Sequence, residues 1–120
     1  SWHAVVWTPT SGPNPYAVHD LGTLTDHVSS QAESISEPDS NGNVWVVGTS
    51  IRYPSGADRH GVLWQVDSGG SVLSTTDLDP AYSGDCAIDV KVIGNSAPQA
   101  VVNTRVGVAA TGWRQASIAN

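Results

Sequence analysis

His3-Ala-Val-Val-Trp7 recurs as His60-Gly-Val-Leu-Trp64, displaced by 57 residues. The same displacement carries Ser11-Gly12 onto Ser68-Gly69 and Asp20-Leu21 onto Asp77-Leu78, so three separated matches share one register. A period of this length marks an internal repeat, and it has to be recognised before any local reading is assembled into a fold. Further along, the copies drift: Val46-Val47-Gly48-Thr49 aligns best with Val101-Val102-Asn103-Thr104, at a displacement of 55. We therefore divide the chain into a first repeat, 1–59, and a second, more divergent one, 60–120. At 120 residues the two together suffice for one structural domain, whereas each alone would be marginal.

Each copy reads as short strands separated by turns. In the first, strands are expected at His3–Trp7, Tyr16–Leu21, Gln31–Ser36 and Val44–Ile51. In the second they are expected at His60–Val66, Val72–Asp77, Cys86–Ile93 and Ala100–Val108. Val is the dominant apolar residue, which suits a pleated sheet better than a helix. Asp26–Glu37, the best remaining place for a helix, has no apolar stripe at helical spacing. The connections carry turn chemistry, notably Ser11-Gly-Pro-Asn-Pro15, Asp39-Ser-Asn-Gly-Asn43 and Asp67-Ser-Gly-Gly70. The expected fold is all-β: two repeats of about four antiparallel strands each, like the blades of a β-propeller, with a β-sandwich as the alternative. Closed propellers take four to eight blades. Two blades in one chain point to a longer parent protein, to a ring shared between chains, or to a sandwich.

The blocks His3-Ala-Val-Val-Trp7-Thr-Pro9, Val18-His-Asp-Leu-Gly-Thr-Leu24, Ser30-Gln-Ala-Glu-Ser-Ile-Ser36 and Asn41-Gly-Asn-Val-Trp-Val-Val-Gly-Thr-Ser50 follow one another in a fixed order. In that order they resemble the HAF-type extracellular repeat family, and His60-Gly-Val-Leu-Trp64 then opens a further unit. The resemblance is strong over residues 3–64 and fades after about residue 80. It implies blade-like architecture and an extracellular or cell-surface setting; it brings no catalytic residues.

Composition narrows the function. Eleven acidic residues against five basic ones give a formal net charge of -6, and the five cations are scattered. Nucleic acid and anionic membrane surfaces need concentrated Lys and Arg, so neither is an expected partner. The longest apolar runs, such as Val44–Val47, are far too short to span a bilayer, so no membrane insertion is expected. Cys86 is the sole cysteine and reads as a small core filler with no disulfide to make. A start at Ser1 without Met reads as a processed or excised end.

The side chains able to carry chemistry mostly have structural readings. Trp7 and Trp64 close equivalent apolar strands and are expected to pack between sheets. His3 and His60 recur with them, which argues for a repeated structural hydrogen bond. His19 with Asp20, and His27 with Asp26, are sequence neighbours that a strand points to opposite faces, so neither forms a catalytic pair. Asp39–Asn43 alternates oxygen side chains but lacks the Gly and Glu that a calcium loop requires, and reads as a hairpin turn. Asp77, Asp79, Asp85 and Asp89 offer no spacing that predicts the facing carboxylates of a glycosidase. No nucleophile elbow, phosphate loop, Cys pair or zinc-protease motif occurs. The chain is therefore not expected to be an enzyme, and no metal or cofactor is expected. Trp2, Trp45 and Trp113 lack an equivalent in the other copy and, with Tyr53, are the candidates for ligand or interface contacts. The expected role is an extracellular module for binding or self-assembly, with copies of itself, a surface component or a glycan as partners. A structural subunit of an extracellular filament and a secreted hydrolase fragment are the alternatives.

Overall fold

The computed structural model describes residues 2–55 and 58–78 in full, together with the backbone of three later strands. The described residues contain no helix. Among the described residues nine strands follow in order: β1 (Ala4–Pro9), β2 (Tyr16–Gly22), β3 (Ser29–Ile35), β4 (Val44–Ile51), β5 (Arg59–Val66), β6 (Val72–Asp77), β7 (Cys86–Lys91), β8 (Gln99–Val106) and β9 (Ala110–Ser117). The first eight fall where the alternation and turn residues place them; β9 has no counterpart in that reading. All pairing is antiparallel, in a two-stranded sheet β1-β2, a four-stranded meander β3-β4-β5-β6 and a three-stranded meander β7-β8-β9.

The grouping of strands differs from the expected four per repeat. The four-stranded sheet takes β3 and β4 from the first repeat and β5 and β6 from the second, across the boundary at residue 59. The cause is the length of the connections: few residues separate Ile51 from Arg59 in the sequence, and β4 pairs with β5 along their full length, from Val44↔Val66 to Ile51↔Arg59.

The repeat is nevertheless reproduced in register. Val5↔Asp20 and Trp7↔Val18 in the first hairpin correspond to Val62↔Asp77 and Trp64↔Thr75 in the second. The same hairpin chemistry also appears at two turns. Asp39 Oδ1 accepts the amides of Asn41 and Asn43, and Asp67 Oδ1 accepts those of Gly69 and Ser71. Each turn passes through a left-handed glycine, Gly42 at φ 80° and Gly70 at φ 90°.

The central sheet lies between two layers. On one face Val46, Val62, Trp64 and Val66 meet Ala4, Val6 and Leu21 from the inner side of the β1-β2 hairpin, with Val44 and Leu24 at the margin. On the other face Val47 and Leu63 are fully buried beside Trp45 and Thr49, and the β7 backbone runs close to β4 and β5. Burial of side chains the size of Val, Leu and Ile is worth about 1.5–3 kcal/mol each, and this holds the hairpin down on the sheet. A polar clasp fixes its position. The buried Ser30 hydroxyl donates to the Gly22 carbonyl at 2.6 Å and accepts the Ala4 amide at 2.9 Å, while the Ser30 amide donates to the Trp2 carbonyl at 2.7 Å.

Candidate functional site

Two features of this scaffold are able to act: the outer face of the β1-β2 hairpin and a polar cluster at one end of the central sheet. Strand alternation decides the first. Ala4 and Val6 point inward, so Val5, Trp7 and Pro9 point out, and the register sets Val18 and Tyr16 beside Trp7 and Pro9. Trp7 is 64% exposed, Tyr16 58% and Val18 52%, which makes a contiguous apolar face on a short sheet. Their repeat mates behave oppositely: Val62, the mate of Val5, and Trp64, the mate of Trp7, are completely buried. What covers Val62 and Trp64 is the β1-β2 hairpin itself.

The second feature begins with the recurring His and Asp. His3 Nδ1 meets the Asp20 carboxylate at 2.8 and 2.9 Å, and His60 Nδ1 meets Asp77 at 3.0 and 3.2 Å. Both contacts span 17 residues, and both tie the start of one strand to the end of its hairpin partner. The two sites then diverge. His3 is exposed and has no further acidic partner among the described residues, whereas His60 Nε2 also lies 2.9 Å from Asp58 Oδ1. Asp58 Oδ2 in turn faces Arg52 at 3.5 Å. His27, on the segment leading into β3, packs edge-on against the His60 ring, with centroids 5.5 Å apart at 77°. Its Nδ1 is 2.9 Å from the hydroxyl of Ser50, a fully buried residue that also accepts the Leu24 amide at 3.0 Å.

These environments shift two ionisations. Burial pushes the His60 pKa down, but the hydrogen bonds that Asp58 and Asp77 accept from the ring, and their charges, more than offset this and raise it. The Gly22 amide, and then His3, hold the Asp20 carboxyl below its ordinary value of 3.8. With a carboxylate at each ring nitrogen, the protonated His60 ring can donate at both ends. Alternatively, its Nε2 can exchange that proton for a cation: one ligand atom each from His27, Asp58 and His60 lies within 4.8 Å of the others.

Trp2 (73% exposed) and Tyr53 (48% exposed) stand in solvent, and Trp2 lines a groove with Val28, Gln31, Ile51 and Pro54. Trp45 does not join them. Only 5% exposed, it packs in the central sheet and is not available to stack on a ligand. The reason is local: β4 is covered on both faces, so neither side of its alternation reaches water. The side chain of Trp113 lies outside the described residues, as do those of Cys86, Asp79, Asp85 and Asp89. His19 and Asp20 go to different partners, Thr8 and His3.

Read from sequence, His60 is a repeated structural position and His27 only the neighbour of Asp26; Asp58 is not singled out, and nothing brings the three together as a cluster. Part of it was readable: Asp58-x-His60 places two polar side chains on one strand side, and Asp77 shares the displacement of the repeat. Nothing local placed His27 beside His60, because that contact depends on how the segment before β3 crosses the end of β4. No protein family, curated protein or solved structure matches this chain.

Proposed function

We propose that the chain is an extracellular repeat module whose work is self-association, by stacking further blade-like layers on the β1-β2 hairpin. The observation that carries this reading is the contrast between Trp7 and Trp64. One repeat position, in one register, is wholly buried where a hairpin covers it and 64% exposed where none does. A face whose repeat mate forms the core of the fold is chemically suited to the same kind of cover, and a second copy of the chain supplies it. An interface that matches one surface to a different one either closes a ring or grows into a filament. The resemblance to HAF-type repeats adds the extracellular setting. This role involves no catalytic step.

Light scattering over a range of concentrations tests the proposal. The mass of the wild-type chain is expected to rise with concentration, whereas Trp7→Asp stays monomeric over the same range. A wild-type chain that remains monomeric throughout overturns it.

Exposed Trp2 in its groove supports a second reading, stacking on a sugar ring. That reading expects glycans to quench tryptophan fluorescence in a way that Trp2→Ala abolishes.

A further inference from the structure

We propose that His27, Asp58 and His60 bind a divalent transition-metal ion, Zn2+ being the best match, with Asp77 and Ser50 orienting the two imidazoles. Two histidines and a carboxylate are the donor set of an open zinc site, which keeps a further position for water or another ligand. The donors stand on well-anchored backbone. His60 is on β5 directly opposite Ser50 of β4, and Asp77 is the last residue of β6. The Val28 amide donates to the Ile51 carbonyl, which holds His27 against the end of the sheet.

The outer contacts are those that a metal-binding histidine needs. Such a residue gives its second ring nitrogen to a carboxylate, carbonyl or hydroxyl, which fixes the ring and the tautomer. Here Asp77 occupies His60 Nδ1 and Ser50 occupies His27 Nδ1, so Nε2 is the nitrogen left to the ion in each ring. Asp58 is divided likewise: Oδ2 faces Arg52 and Oδ1 faces His60. With bonds of 2.0–2.1 Å, tetrahedral ligand atoms lie about 3.3 Å apart. His60 Nε2 and Asp58 Oδ1 stand 2.9 Å apart, and one ligand atom from each of His27, Asp58 and His60 lies within 4.8 Å of the others, in the range of that value.

The first repeat supplies an internal control. His3-Asp20 reproduces the His60-Asp77 contact, but the position 57 residues before Asp58 is Ser1, so the matching carboxylate is missing. A pair that is only structural would behave alike in both repeats; a metal site distinguishes them.

The test is calorimetric titration of Zn2+ into the full chain after EDTA treatment, with the visible absorption of added Co2+ as a second reading of coordination geometry. One ion per chain is expected, with an intense visible band from low-coordinate Co2+. His27→Gln and Asp58→Asn should each weaken binding at least tenfold, Asp77→Asn by about 10–100-fold, and His3→Gln should leave it unchanged. Saturating Zn2+ should also raise the wild-type thermal midpoint, a reading that needs no variant to fold. Absence of binding, an unmoved midpoint, full affinity in His27→Gln, or loss of binding in His3→Gln would each overturn the proposal.

Discussion

Replacing Trp64 with Ala empties the most enclosed large side-chain site in the central sheet, and a truncation of that kind costs about 3–5 kcal/mol. The same change at Trp7 removes an exposed ring and should cost less than about 1 kcal/mol in the dilute monomer. Denaturant unfolding of both variants measures the difference. Equal losses would mean that the repeat mates are buried alike. Among the described residues the Trp64 indole nitrogen has no hydrogen-bond partner, so Trp64→Phe forfeits volume but no bond and should be much milder than Trp64→Ala. Asp20 gives a pH prediction. Because its folded carboxyl titrates below 3.8, its contribution is complete above that value and is lost as pH falls through the lower, folded midpoint. In an NMR titration its side-chain carboxyl should therefore move at a pH below 3.8, and His3→Gln should bring the midpoint back toward it. At this scale the sequence was informative where residues recur: the His and Trp positions were found from their repetition alone. It placed both Trp7 and Trp64 between sheets, which holds for Trp64 and not for the exposed Trp7, because cover comes from another layer and leaves no mark on the strand itself.

Strands are the most legible elements, since β-branched runs bounded by Asp-Ser-x-Gly turns leave little freedom in where they start and stop. Val44–Ile51 could be read to the residue, whereas β9 could not, because Thr111-Gly-Trp-Arg-Gln-Ala-Ser117 has no clean alternation of apolar and polar positions. Between β3 and β4 the two backbones approach closely at a bulge near Ala32. A Cβ built on Gly48 would fall 1.8 Å from the Gln31 carbonyl oxygen. Gly48→Ala should consequently force the strands apart and destabilise the chain by about 1–3 kcal/mol or more. Thermal unfolding followed by circular dichroism would register that loss, and an unchanged midpoint would show that the bulge yields freely.

For the whole molecule, the two-copy pattern predicted the strands and the turns between them but misplaced the sheet boundaries. Repeat boundaries follow sequence similarity, whereas sheets follow which connections are short enough to be hairpins, so the four-stranded sheet straddles residue 59. That offset leaves the β1-β2 hairpin as a two-stranded layer with its outer face bare. It also places His60 where the end of one repeat, with His27 and Ser50, meets the start of the next. The proposed metal site is thus a product of the junction and could not be assembled from one repeat read alone, and the exposure of the proposed assembly face follows from the same offset. The most direct test of the stacking claim is a photo-reactive benzoylphenylalanine in place of Tyr16, beside Trp7 on the bare face. Irradiation at increasing protein concentration is expected to join chain to chain, and to stop doing so when Trp7→Asp is added. Products that remain single chains at every concentration, or linkage that persists with Trp7→Asp, would contradict it.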